Sequence, residues 1–290
     1  MRLVRKNEGF SLLELLISLA ILLTVSGSAF EVLSYYQKAY LSTEMRADVH
    51  SGIRAALTLM TQEITQAGLL SFPPKTTQAA VSKDVNLQSV GLNPSAEDIF
   101  NGEKLLVGTG SSQEIVSVTS HTSSSITGIF TKDHNTGAIV TAPGVFPEGI
   151  LPSSSATQLR LVGDLNGDGN LVYGYYDCNT TTGNLSRYMN KVSAPGVNSS
   201  QLLMDHLVAN PGGTACFQYT STTVRGFSFV TGVAITISVQ TSTSDPQTGA
   251  LVTVTESLLN ISPRNVLAGL ENARTNLLTR LQPTPAIAWP

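Results

Sequence analysis

Charge is scarce in this sequence. Only 13% of the 290 residues are Asp, Glu, Lys or Arg, and the formal net charge is -3; soluble domains usually carry about 25%. A chain so poor in Lys and Arg lacks the basic stripe that grips phosphates, so no nucleic-acid partner is expected. Cysteine is almost missing too: Cys178 and Cys216 are all there is, which excludes a disulfide-rich miniature fold and any metal site built from four thiolates. His50, His121, His134 and His206 lie far apart, and no HExxH pair, GxSxG elbow or CxxC is present. Gly108-Thr109-Gly110 lacks the third glycine and the lysine of a phosphate loop and reads as a turn. An enzyme is therefore not expected. No proline precedes Pro73, so no proline breaks a helix in the first seventy residues. The 41% hydrophobic content is ample for a core, and Ser, Thr and Asn supply the polar surface.

Most of the information that is present lies at the N-terminus. Residues 1–9 read MRLVRKNEG, with Arg2, Arg5 and Lys6, and residues 10–30 read FSLLELLISLAILLTVSGSAF, where Glu14 is the one charge. As a helix this run of about 21 residues spans about 31 Å, enough to cross a hydrocarbon layer of about 30 Å. The basic leader stays in the cytoplasm under the positive-inside rule, which sends the rest outward. A cleavable secretory signal cut near Gly27-Ser28-Ala29, or a plain signal anchor, also fits the outline. Neither explains Glu14, because an ionised carboxylate at that depth costs about 2.5 kcal/mol or more and needs a partner.

Gly9-Phe10-Ser11-Leu12-Leu13-Glu14 resembles the class III signal of type IV prepilins and pseudopilins: a basic leader ending in Gly, then Phe, then Glu at the fifth mature position. The resemblance implies cleavage after Gly9 by an inner-membrane prepilin peptidase and methylation of the new amine on Phe10. It also implies pairing of Glu14 with the Phe10 amine of a neighbouring subunit. Two such charges, each costly alone among apolar groups, are tolerable together. Glu14 then sets register during assembly and performs no catalysis.

The helical pattern continues past the membrane segment. Val49, Ile53, Ala56, Met60, Ile64 and Ala67 recur at spacings of three and four, with Arg46, Asp48, Arg54 and Glu63 placed elsewhere on the surface. A helix of about 60 residues invites a coiled-coil reading, but sustained heptads with paired charges are missing. Many major pilins carry a kinking proline here; in this chain Gly27, between Ser26 and Ser28, is the weakest point.

After Ser71-Phe72-Pro73-Pro74 the period changes. Short β-branched runs at 115–119, 125–130, 138–141, 158–162, 171–176, 216–219, 233–239 and 251–258 are separated by Gly, Ser, Asn and Pro. Val233, Ile235, Ile237 and Val239 alternate as a half-buried antiparallel strand should. The expected class is α+β, pilin-like, a long N-terminal helix packed on an antiparallel β-sheet head. The expected division is a leader (1–9), a long helix (10–70, with 10–30 transmembrane), a β-rich head (71–265) and a C-terminal helix and tail (266–290). That last helix is read from Val266, Leu267, Leu270, Ala273, Leu277 and Leu281, before a tail ending Ala288-Trp289-Pro290.

Gln66-Ala67-Gly68, the segment from Leu203 to Tyr219 with its late Cys216, and Ile261-Ser262-Pro263-Arg264-Asn265 are similar to the PilW-like minor pilins. That likeness implies a minor pilin that helps prime type IV pilus assembly together with other minor and major pilins. The destination is first the bacterial inner membrane, head outward, and then the pilus and cell surface. A minor pseudopilin of type II secretion and a tip adhesin are the competing roles.

Two further sites are expected in the head. Asp164, Asn166, Asp168 and Asn170, with Gly169 at the sharp turn, match the first half of a calcium loop, but Tyr175 stands where a bidentate Glu belongs. Asn-Gly and Asp-Gly would equally make a hairpin turn. Cys178 and Cys216 are expected to pair outside the cytoplasm, closing a loop of about 40 residues for about 4 kcal/mol.

Overall fold

A computed structural model of the chain describes residues 10–70, 72–192 and 199–286. The expected leader, with Gly9, and the terminal Ala288-Trp289-Pro290 lie outside the described residues. The fold is α+β and pilin-like, a long N-terminal helix followed by antiparallel sheet. By contact it divides into two compact units, one holding the helix up to His50 together with Thr241–Val252, the other holding Ser51–Gln240 and everything from Thr253.

One helix, α1 (Leu12–Gln66), runs for 55 residues, about 82 Å at ~1.5 Å per residue. It passes Gly27 unbroken. Hydroxyls that would otherwise be stranded along an apolar helix fold back on the backbone: Ser18 Oγ donates to the Glu14 carbonyl at 2.7 Å and Ser28 Oγ to the Thr24 carbonyl at 2.7 Å. The helix ends where Gly68 takes φ +87°, a left-handed cap that favours glycine. There the Gly68 N–H donates to the Val162 carbonyl at 2.9 Å, and the Asp164 N–H donates to the Leu69 carbonyl at 2.8 Å. Gly149 lies so close that an added Cβ would overlap the Ala67–Gly68 backbone.

In the second unit α1 carries the expected stripe. Ile53, Met60, Ile64 and Ala67 are fully buried, Ala56 and Leu57 nearly so, each of the large side chains contributing about 1.5–3 kcal/mol. Glu63, expected on the surface, is buried as well. It stands three residues after Met60 and four before Ala67, on the apolar face itself.

Among the described residues the β structure forms three sheets, and every pairing between their strands is antiparallel. The first contains β1 (Lys75–Thr77), β2 (Gln88–Asn93), β3 (Lys104–Val107), β4 (Glu114–Ser117), β5 (Ser120–His121), β6 (Ser125–Gly128) and β7 (Ile139–Thr141), in the order β4-β3-β7-β1-β2-β6-β5. Leu92, Leu105, Val107, Ile126, Phe130 and Val140 fill its core. The second contains β8 (Gln158–Gly163), β9 (Val172–Asn179), β10 (Asn184–Lys191) and β11 (Ser199–Met204), in the order β11-β10-β9-β8.

The third sheet is built around a strand of 14 residues. With β12 (Leu207–Val208), β13 (Phe217–Val224), β14 (Phe227–Gln240) and β15 (Thr253–Ile261) defined, β13 and then β12 pair along one edge of β14 and β15 along the other. Phe229, Val233, Ile235, Ile237 and Val239 point inward, the alternation read from sequence. Thr231 is bulged out opposite β13.

The C-terminal helix, α2 (Arg264–Arg274), is shorter than the 266–281 stripe predicts. Asn276 adopts φ +64°, which stops the helix, and a single turn, Leu278–Arg280, follows. Val266, Leu270, Ala273 and Leu281 still pack with Val145 and Phe229, whereas Leu277 is 45% exposed. Leu281 reaches the cluster by bridging to Val145 in extended conformation.

Candidate functional site

The N-terminal part of α1 is an apolar surface left exposed among the described residues. Phe10 is 86% exposed, and Leu12, Leu13, Leu15, Ile21, Leu22, Leu23 and Val25 are exposed around all sides of the helix. The segment is long and apolar enough to cross a membrane, and none of it is buried among the described residues. A surface of this kind marks contact with lipid or with other proteins.

Glu14 sits one turn into this surface, and it has a local partner. Its Oε2 accepts the Ser11 N–H at 3.1 Å, while Ser11 Oγ accepts the Leu13 N–H at 3.3 Å. Ser11 and Glu14 thus form a capping box, each satisfying an orphan N–H of the first helical turn. The acid also lies at the positive end of the helix dipole. Ser-x-x-Glu before an apolar run is a readable signal that the membrane argument passed over.

The prokaryotic N-terminal methylation motif matches residues 4–30. The chain carries a type IV prepilin-type signal. No curated protein matches the chain. The motif implies processing by a prepilin peptidase, and association with pilins in general, of the pilus or the pseudopilus. Prepilin signal and exposed apolar helix together are compatible with inner-membrane anchoring and filament assembly. Of the processing residues, Phe10 is the first described and Gly9 lies outside.

Further along the pilin-like helix, the first unit closes on a hairpin excursion. In Thr241–Val252, between β14 and β15, the buried Asp245 accepts Ser42 Oγ at 3.0 Å and Arg46 Nη2 at 3.3 Å through Oδ2. Its Oδ1 accepts the Gln247 N–H at 2.8 Å. The Gln247 N–H first, then Ser42 and Arg46, hold the Asp245 carboxyl below the usual range. Asp245 is a residue that sequence reasoning missed: it is the one acid of a Ser/Thr-rich loop, and nothing local marks that it will meet the helix.

In the second unit, Glu63 is held by two strands. Tyr176 of β9 donates its hydroxyl to Oε2 at 2.6 Å, and Arg187 of β10 donates Nη2 to Oε1. Burial first, then the Glu63 charge, push the Tyr176 phenol up. Burial works against the Arg187 cation, but the Glu63 hydrogen bond and charge outweigh it and raise its pKa. Glu63 and Arg187 line one side of a groove of about 460 Å³, with Leu59, Gln62 and Gln66 of α1 and with Leu165, Asn166 and Gly167.

That loop contains the expected calcium ligands, and it closes on itself as the β8–β9 hairpin turn. Asp164, almost fully buried, accepts the N–H groups of Asp168 and Gly169, each at 3.1 Å, through its two oxygens. Asn166 Nδ2 donates to Asp168 Oδ2 at 2.8 Å, and the Asn170 N–H donates to Asp168 Oδ1 at 2.8 Å. Tyr175, at the twelfth position, stacks on Tyr188 with ring centroids 4.3 Å apart. The carboxylates are thus engaged in turn formation, and no group of three or more His, Cys, Asp or Glu gathers as a ligand set among the described residues.

Cys178 of β9 and Cys216, one residue before β13, are joined in a disulfide with Cα atoms 6.5 Å apart. The bond connects the second sheet to the third. The histidines have separate partners: His121 meets Asn101 at 2.9 Å, His134 meets Glu114 at 2.7 Å and His206 meets Asp205 at 3.0 Å.

Proposed function

We propose that the protein is a minor pilin, PilW-like, that takes part in type IV pilus assembly and primes the filament through its N-terminal helix. The observation that carries this reading is the methylation motif at the head of an apolar helix that is exposed among the described residues. The leader of residues 1–9 remains cytoplasmic and is removed after Gly9, residues 10–30 occupy the inner membrane, and the β-rich head of residues 71–265 faces outward. Helices from neighbouring subunits then cover the apolar surface. On docking, Glu14 exchanges the Ser11 N–H for the methylated Phe10 amine of a neighbour. The role is structural and not enzymatic, and the filament partners are other minor and major pilins.

Glu14→Ala tests the mechanism. Removing one member of a buried ion pair costs about 3–5 kcal/mol, so the variant is processed to the mature form but is nearly absent from filaments; normal incorporation contradicts the reading. Deleting the gene separates the two filament types. Loss of surface pili supports the minor pilin, whereas intact pili with loss of secreted protein point to a type II pseudopilus.

A further inference from the structure

Past residue 30 the exposed surface of α1 changes character. Val32 and Leu33 continue the apolar run, and then Tyr35, Tyr36 and Tyr40 stand 64%, 66% and 68% exposed. Tyr36 and Tyr40, four residues apart, share one side of the helix. Tyr35 meets Tyr36 edge to face, with ring centroids 6.0 Å apart. A phenol has an apolar ring and a polar tip, the combination that suits the layer where hydrocarbon gives way to water. The spacing puts the three rings in that layer. A bilayer with both headgroup layers is about 40–45 Å thick, which a helix covers in about 27–30 residues. Counted from Phe10, that length ends at about residues 36–39.

The Thr241–Val252 excursion joins the helix just beyond. Besides the bonds from Ser42 and Arg46 to Asp245, Thr243 Oγ1 donates to Met45 Sδ at 3.6 Å. Ser42 is two residues past Tyr40, about 3 Å along the helix. The excursion closes as its own turn: the Asp245 N–H donates to the Ala250 carbonyl at 2.8 Å, and the Gly249 N–H to the Asp245 carbonyl at 2.7 Å. Asp245 is its one charged residue, and that charge is turned onto the helix. Ser242, Thr243, Ser244, Gln247, Thr248 and Leu251 are exposed. The outward surface is thus made of hydroxyls, an amide and one aliphatic side chain.

We propose that Tyr35, Tyr36 and Tyr40, together with the Thr241–Val252 excursion, form a foot by which the first unit stands on the outer headgroup layer of the bilayer. The inference rests on the membrane placement of residues 10–30 proposed above. The phenol rings lie within the layer and the excursion lies against its outer edge. What argues for lipid as the occupant is continuity: the belt follows the apolar run on the same unbroken helix, at the depth where a bilayer ends. Phenol and side-chain hydroxyls donate to phosphate and ester oxygens, and Leu251 supplies an apolar contact. An outward-facing acid would be repelled by anionic headgroups; with Asp245 held by Ser42 and Arg46, the foot accepts a zwitterionic surface and needs no anionic lipid. Because α1 is continuous, a foot at this end fixes how deep the helix sits, and with it the level of Phe10 and Glu14 at the other.

The test uses the full-length protein in phosphatidylcholine vesicles. Trp289, the single tryptophan of the sequence, is replaced by Phe, and one tryptophan is introduced at a time: Leu22→Trp, Tyr40→Trp or Gln247→Trp. Emission is then quenched either by lipid brominated in its acyl chains or by lipid carrying a nitroxide on its headgroup. The Leu22 probe is expected to lose most to the bromines. The Tyr40 and Gln247 probes are expected to lose several-fold more to the headgroup nitroxide than to the bromines, and adding phosphatidylglycerol leaves this unchanged. Asp245→Asn, which frees the excursion from the helix, lowers headgroup quenching at Gln247 and leaves Tyr40 as it was. A quenched Leu22 probe with silent Tyr40 and Gln247 probes overturns the foot and leaves the membrane reading intact; an unquenched Leu22 probe overturns that reading itself. Quenching at Tyr40 without quenching at Gln247 removes the excursion from the foot. Shielding of Tyr40 and Gln247 that appears only at high protein-to-lipid ratio overturns the proposal by assigning the cover to another subunit. Quenching that depends on phosphatidylglycerol overturns the uncharged contact.

Discussion

One helix holds two glutamates in opposite circumstances. Glu63, in the second unit, lies on a buried stripe and is met by Tyr176 and Arg187 from two neighbouring strands. Glu14, in the first, lies on an apolar surface that is exposed among the described residues, where it is met by the N–H of Ser11, three residues away. The difference teaches what each half of the helix is for. Around Glu63 the polar and apolar requirements are met by the chain itself, which is how a fold is completed. Around Glu14 the apolar requirement is left for lipid or another molecule to meet.

The comparison can be broken most forcefully at Glu63. Glu63→Ala leaves Arg187 in a half-buried site without its carboxylate and is expected to destabilise the second unit by about 3–5 kcal/mol, measured as the denaturation midpoint of the full-length protein in detergent. Replacing the pair together, Glu63→Leu with Arg187→Met, recovers most of the loss. A cost under about 1 kcal/mol for the single variant, the range of an exposed pair, would put Glu63 on the same footing as a surface charge.

A smaller effect is expected at Asp245. Its folded pKa is depressed, so its contribution is present above the unfolded value of about 3.9 and is lost as pH falls through the lower folded value. The 241–252 excursion therefore loosens below about pH 4. At neutral pH Asp245→Asn brings on several-fold faster amide exchange in that segment, with no change in the β sheets. Exchange that is unaltered in the variant would show that the excursion is held by other contacts.

The smallest expected effect on folding is at Glu14. Glu14→Ala loses a capping interaction of about 0.5–2 kcal/mol at a frayed terminus, and the denaturation midpoint of the head does not move, even though filament incorporation fails. If the midpoint shifted as far as it does for Glu63→Ala, the two halves of the helix would not differ in the way described.

Local periodicity carried much of the architecture. The proline-free run from residue 12 to 66 and the alternation in β14 were legible because each is decided by neighbours a few residues away. β10 and β11, reading NLSRYMNK and SSQLLM, were not read as strands, since their polar residues leave no clean alternation and what makes them strands is pairing with β9 and with each other. Glu63 was misplaced for a related reason: a carboxylate on an apolar stripe is tolerable only when a partner arrives from far along the chain, and Arg187 is 124 residues distant. The same holds for Asp245 with Ser42, 203 residues apart. The capping box at Ser11 and Glu14, by contrast, was fully legible and was hidden only by the more conspicuous membrane pattern around it.

The Cys178–Cys216 bond makes the chain a witness to its own history. It fastens β9 to the approach of β13, with three further strands strung between, and a bond of this kind forms and persists in an oxidising compartment. A molecule held back in the reducing cytoplasm would have the same sequence and two free thiols. Counting thiols on a single purified chain therefore reveals whether it has passed through an oxidising compartment.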